Sequence, residues 1–272
     1  MPSGNPTDPR HRIVILCGPN LTHRNTCATL IGSGLKIVGI CMADQRRSGL
    51  PIGYLVRSIR KKGLLPTLSR TCARVAYLAF NAGKDRRAYA RLFDARAIED
   101  KLQEWNGDLF RTRSYSDPDC LAWLRARQPD ILVVHSAYWV GKPVRDLART
   151  GIVLGGHPGI TPDYRGSHAA FWAVYAGKPQ DVGCTVFLVD KGVDTGAIVA
   201  QERIPIEPGD SFRTLAWKGM IRIAELQAFV LRNYENGIPL PRRVVAPPPG
   251  TEFDNPTLLE LLRYRLRQAQ VR

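Results

Sequence analysis

Residues 12–42 read RIVILCGPNLTHRNTCATLIGSGLKIVGICM. Arg12 to Cys17 is a short apolar, β-branched run that stops at Gly18-Pro19-Asn20, the pattern of a buried strand ending in a turn. Thr22 to Ser33 then suits a helix closed by Gly34, and Lys36 to Met42 a second buried strand. A strand, a helix and a strand in this order form a βαβ unit, which predicts a parallel sheet covered by helices.

Working outward, the same alternation resumes further along. Helices are expected at Ala95–Trp105, Asp117–Ala126 and Pro143–Arg149, with Asp117 as a cap and Pro118 in the first turn. Strands are expected at Leu109–Thr112, Asp130–His135 and Ile152–Leu154. A helix over Ser167–Tyr175, strands over Cys184–Val189 and Ala197–Ile204, and one long helix over Asp210–Asn233 complete the pattern. The fold class is therefore α/β, a Rossmann-like and mostly parallel sheet with helices on both faces. The divisions read as a flexible N-terminus (1–11), one main domain (12–236) and an extended Pro-rich tail ending in a basic helix (237–272).

Hydrophobic residues make up 44% of the 272-residue chain and charged residues 23%, enough apolar surface for an ordinary core. No apolar run is long enough to span a bilayer, and the polar, Pro-rich start has no signal-like segment, so a cytoplasmic, unprocessed protein is expected. The cysteines are scattered without a CxxC pair, which argues for free thiols and against a zinc site.

The net charge of +15 is concentrated. Residues 46–91 hold twelve Lys and Arg against the single acid Asp85, a local balance of +11. Ile52, Leu55, Val56 and Ile59 fall at helical spacing among Arg57, Arg60, Lys61 and Lys62, a basic amphipathic helix. Gly63 and Pro66 are expected to break it, with a second helix over Leu68–Ala79, so 44–91 reads as a basic helical insertion. Such charge suits a phosphorylated substrate or an anionic membrane surface, where the protein would sit peripherally. Nucleic acid is disfavoured because no recognised motif accompanies the cluster, and a charged hairpin serving solubility alone is the plain alternative.

The chemistry-bearing stretch is residues 151–196, GIVLGGHPGITPDYRGSHAAFWAVYAGKPQDVGCTVFLVDKGVDTG. His157 follows a strand and precedes Pro158, Gly159 and Pro162, so its imidazole sits on a stiff turn at a strand's carboxyl end, where open α/β sheets bind ligands. Asp194 lies in a second turn between strands. A His and a carboxylate on separate rigid turns suit proton handling, the carboxylate fixing the tautomer and stabilising the imidazolium. Taken singly, each is more simply a turn residue; the paired strings HPG-x-TP-x-YRG and VD-x-G-x-DTG give them weight.

Those two strings resemble the folate-dependent formyltransferase family. The resemblance is carried by 151–204, extends through the order of elements over 12–42 and 109–235, and does not reach the basic insertion. It implies transfer of a formyl group from 10-formyltetrahydrofolate to the amine of a small-molecule acceptor. By the match, His157 stabilises the tetrahedral intermediate, and Asp194 orients His157 and assists proton removal. Tyr138, Trp139, Val140 and Asp190 correspond to the folate pocket, while Gly18, Pro19, Asn20, Tyr164 and Arg165 correspond to acceptor-binding positions. Aromatic core and a solvent-facing arginine are the bland readings of Tyr138–Trp139 and Arg165.

The family's N-x-H-P string supplies an asparagine that here is Gly155. Loss of one oxyanion donor costs on the order of 10²–10³ in rate. Three explanations stand open: a backbone N–H of the Gly155-Gly156 pair donates instead, a polar neighbour such as His135, Ser136 or His168 takes over, or the chain no longer transfers formyl groups. The last would make it a non-catalytic binder of folate or a sugar nucleotide, or an enzyme of another acyl or one-carbon transfer. The resemblance also bears on the acceptor. Methionyl-tRNA formyltransferases carry a C-terminal β-barrel for which residues 237–272 leave no room, and glycinamide ribonucleotide formyltransferases lack the insertion. An amino-sugar nucleotide of surface-polysaccharide biosynthesis is thus the expected acceptor, and a homodimer is an allowed assembly.

Overall fold

The computed structural model describes residues 10–44, 51–135 and 138–271. The opening segment forms β1 (Ile13–Cys17), α1 (Leu21–Ile31) and β2 (Ile37–Ala43). The insertion forms α2 (Pro51–Lys62) and α3 (Leu64–Leu92), followed by α4 (Ala95–Glu104), β3 (Asp108–Thr112), α5 (Pro118–Arg127), β4 (Ile131–His135) and α6 (Lys142–Arg145). Then come β5 (Ile152–His157), β6 (Arg165–Gly166), α7 (Ala169–Tyr175), β7 (Gly183–Leu188), β8 (Ile198–Arg203), α8 (Phe212–Glu235), β9 (Glu252–Phe253) and α9 (Leu258–Val271).

Seven strands make one sheet in the order β3-β2-β1-β4-β5-β7-β8, parallel through β5 and antiparallel across β7 and β8. Because strand side chains alternate, the sheet feeds two cores. Ile13, Ile15, Ile131, Val133, Ile152 and Leu154 pack on one face with α7 and α8, while Val14, Leu16, Leu132, Val134 and Val153 pack on the other with α5 and α6. Both faces are therefore apolar, as continuous strands such as IVILC require.

The expected elements recur with shifted ends. β5 is longer than expected, reaching His157, because antiparallel β7 pairs Leu154 to His157 with Leu188 to Thr185. Pro66 does not break a helix. Gly63 does, and Pro66 sits in the first turn of α3, where its missing N–H costs no intrahelical bond. α3 consequently runs to Leu92 and not to Ala79. It is anchored by Asp85, buried at 4% exposure, which accepts hydrogen bonds from Tyr77 and Ser211 at 2.8 Å each. Ser211 also caps α8 reciprocally with Thr214.

The two ends of the described chain are held down. Backbone N–H groups of Arg10 and His11 donate to the Glu235 carboxylate, so these two residues of the expected flexible N-terminus are fixed on α8; residues 1–9 lie outside the described residues. The tail is not a free extension. Arg243 bridges to Ile198, β9 pairs with β6, and α9 lays Leu261 and Tyr264 into the main core, Tyr264 stacking on Phe171.

Candidate active site

The carboxyl ends of β1, β4 and β5 lie at one edge of the sheet, with chain order reversing between β1 and β4. Cys17 and His135 are paired across that junction. The β4–β5 pairing stops at Val133 and Leu154 while β5 continues to His157, so the strand ends part and open the crevice in which such sheets hold ligands. Gly18 and Tyr138 stand on the loops leaving β1 and β4, and His157 is the last residue of β5.

His157 is 5% exposed and is held from both sides. Its Nε2 lies 2.9 Å from the Tyr164 carbonyl, and its Nδ1 lies 3.3 Å from Asp194 Oδ2. A carbonyl only accepts, so the Nε2 proton is directed at Tyr164, while Asp194 holds the ring from its Nδ1 side. Asp194 is fixed in turn by the Gly166 N–H, which donates to the same oxygen at 3.1 Å. Gly159 makes the cage feasible. A Cβ there would lie 2.3 Å from the Ala169 Cβ, 2.6 Å from His157 Nε2 and 2.7 Å from the Tyr164 carbonyl oxygen.

The matched positions thus divide. His157, Tyr164 and Asp194 converge, Tyr164 through its carbonyl and not its ring. Arg165 is not solvent-facing: it is 8% exposed, and its guanidinium donates to the Val193 carbonyl at 3.0 Å and approaches Thr251, bracing the Asp194 turn. Asp190 accepts from the Gly192 N–H and the Thr195 hydroxyl, closing that turn from its other end. After β4, Val140 is buried, Tyr138 is partly buried beside it and the Trp139 ring is 57% exposed. Gly18 is buried and donates its N–H to His23 Nδ1 at 3.0 Å, Pro19 is half-buried, and Asn20 is the exposed N-cap of α1.

At Gly155 the space for a side chain is filled. An added Cβ would lie 2.8 Å from Val189 Cγ2 and 3.1 Å from Phe187 Cζ, so two apolar groups occupy the direction in which an asparagine would leave the strand. Of the polar substitutes, Ser136 lies outside the described residues. His168 is turned to Asn255 at 3.0 Å and to the Phe212 ring. His135 shares the sheet face of Ile131 and Val133, whereas position 155 shares that of Val153, so His135 points to the other side. The backbone remains. Val189 N–H donates to the Val153 carbonyl, which makes Val153/Val189 and Gly155/Phe187 the hydrogen-bonded pairs of this ladder. The Gly155 N–H is thereby used within the sheet, and that of half-buried Gly156 points toward the opening beside β4.

A feature that the strings did not single out is a histidine pair beneath the crevice. His23 and His135 meet edge to face at 5.4 Å between centroids, and burial lowers their pKa values to about 4 and about 3. Neither ring nitrogen of His135 has a hydrogen-bond partner among the described residues. Only the alternation of β4, which turns position 135 inward, carries a sequence signal for this pair.

Comparison with known proteins agrees with this architecture. The family model for formyl transferase matches residues 78–231, more than half of the chain, and the chain belongs to the formyl transferase family. The match begins inside α3, so the likeness reaches further into the insertion than the strings indicate. A methionyl-tRNA formyltransferase of a Synechococcus is 36% identical over 129 residues, 46% of this chain and 39% of that protein. The matched stretch thus spans about two fifths of that relative's length. Among solved structures, a glycinamide ribonucleotide transformylase from Symbiobacterium toebii superposes with TM-score 0.54 at 17% identity, covering 87% of this chain and 93% of its own. A sugar N-formyltransferase from a Shewanella species gives TM-score 0.54 at 13% identity, covering 94% and 87%. At these identities the structural matches speak for the fold. The family uses 10-formyltetrahydrofolate as its formyl donor.

Proposed function

We propose that this chain transfers a formyl group from 10-formyltetrahydrofolate to the primary amine of a small molecule, with an amino-sugar nucleotide as the acceptor class. The observation that carries the reading is the His157–Asp194 pair, 3.3 Å apart, at the strand edge of a formyl transferase fold. The donor brings an activated formyl carbon on N10. The crevice fits a flat ligand at its β4 side, where the exposed Trp139 ring and partly buried Tyr138 offer stacking surface over Val140.

The chain's own groups then divide the work. His157, caged by Tyr164 and Asp194, stands where negative charge develops on the formyl oxygen, and the Gly156 N–H supplies the hydrogen bond that Gly155 lacks. The acceptor's amine nitrogen attacks the formyl carbon, the C–N10 bond breaks, and the proton leaving the attacking nitrogen is carried by Asp194 to N10. No net proton is taken up. The brace of Arg165 on Val193 keeps the carboxylate in register. The acceptor class rests on the basic insertion, whose charge suits a phosphorylated substrate.

Turnover is tested by following release of tetrahydrofolate against a panel of amino-sugar nucleotides, with His157→Ala alongside. The reading expects turnover that falls by at least about 10² in the variant while affinity for 5-formyltetrahydrofolate, measured by calorimetry, is retained. Saturable ligand binding with no turnover on any amine would overturn it. One observation favours that second reading, a folate or nucleotide binder without catalysis: Val189 and Phe187 fill the place of the missing donor.

A further inference from the structure

α3 is apolar on two opposite sides. Ala73 and Tyr77 are buried in the main core, but Leu64, Leu68, Val75 and Leu78, spaced at helical intervals along the other side, are 54%, 46%, 63% and 38% exposed. α9 repeats the arrangement. Leu261 and Tyr264 enter the same core, and Leu259, Leu262 and Leu266 are 56%, 51% and 70% exposed on its outer side. The helices run side by side, the Leu258 N–H donating to Ser69 Oγ and the Arg265 guanidinium lying 4.8 Å over the Phe80 ring. Because one core lies under both, the two stripes look outward together.

Scattered exposed leucines are ordinary, but two aligned stripes on adjacent helices form a patch that needs an occupant. Exposed Arg74, Arg86 and Arg263 are carried by the same two helices, and Arg60 and Lys61 by the end of α2 that leads into α3. The acids of these helices do not balance them: Asp85 is buried among Tyr77, Ser211 and Arg213, and Glu260 is engaged by Thr257. A second copy docked face to face would bring these cations against their own kind. Leucines ringed by long cationic side chains match an anionic bilayer instead, because the stems of Lys and Arg lie along apolar surface while their heads reach phosphates. Among the described residues no helix is long and apolar enough to cross a membrane, so the contact is with the surface.

We propose that the outer faces of α3 and α9 together dock this protein on an anionic phospholipid bilayer. This extends the apolar surface expected on α2 to the next helix and the last: the side chains of Ile52 and Leu55 lie outside the described residues, Val56 is 42% exposed, and Ile59 is half-buried. The inference is independent of the formyl-transfer reading.

The test is co-sedimentation of the full chain with phosphatidylcholine vesicles with and without phosphatidylglycerol, at low and high salt. The expected result is binding at least roughly tenfold tighter to the anionic vesicles, weakened by salt. L68Q/V75Q/L262Q should abolish binding, and R74E/R86E should remove the preference for anionic lipid; circular dichroism melts report folding, which these exposed positions leave intact. Three outcomes would overturn the proposal: no binding by the wild-type chain, binding untouched by the apolar triple variant, or sedimentation equilibrium showing that the patch instead pairs two copies.

Discussion

At the scale of single residues, the candidate site is governed by close approach. Gly159→Ala would push a methyl into the His157 ring, the Tyr164 carbonyl and Ala169 at once, and overpacking of this kind costs about 1–3 kcal/mol. We expect a urea midpoint lowered accordingly and turnover reduced together with it, because Nε2 loses its carbonyl. Gly155→Asn alone should also destabilise, its Cβ meeting Val189 Cγ2 at 2.8 Å, whereas Gly155→Asn with Val189→Ala should recover stability. Formyl transfer measured in both variants separates two roles for the glycine. A rise confined to the double variant means that apolar filling suppresses the family chemistry; a loss in both means that the Gly156 N–H already serves. The identities of His157 and Asp194 were legible in their strings. The role of Arg165 was not, because its burial depends on Thr251 and Glu252, which join it only when β9 pairs with β6.

Elements show the same division between local signals and remote partners. Strands were legible wherever apolar runs met Gly or Pro, and α8 was legible as one long helix from Asp210 onward, within two residues of its observed start. The length of α3 was not, since its later turns are polar outside and held by a contact remote in sequence. Asp85 receives the hydroxyls of Tyr77 and Ser211 and approaches Arg213 at 3.7 Å, linking the insertion to the start of α8. Asp85→Ala should therefore cost about 2–4 kcal/mol by stripping buried hydroxyls of their acceptor and an ion-paired arginine of its carboxylate. Hydrogen exchange should show α3 opening first, with the sheet unaffected. On α9, Tyr264→Ala removes a ring stacked at 4.6 Å on Phe171, and a loss of about 3–5 kcal/mol in chemical denaturation is expected, comparable to other aromatic core truncations.

For the whole molecule, the buried histidine pair sets an acid limit. Burial holds His23 and His135 neutral, with pKa values of about 4 and about 3 against 6.5 in the unfolded chain. Above pH 6.5 neither state binds these protons and the fold keeps its full stability. Below it the unfolded chain takes them up first, so stability falls with pH by up to about 3 kcal/mol per unit until the folded pKa values are reached. Urea titrations between pH 7 and pH 4 should show this slope, and His135→Leu should flatten it by about half. The sequence by itself determined that a doubly covered parallel sheet forms, because continuous apolar strands alternating with amphipathic helices have no other way to bury both faces, and it determined which turns carry the histidine and the carboxylate. Tertiary structure alone decided that Val189 and Phe187 fill the place beside Gly155, that His135 turns away from it, and that α9 lies beside α3. Those outcomes depend on register and on contacts between segments far apart in the chain, where side-chain direction is set by the strand pairing and not by the residue itself.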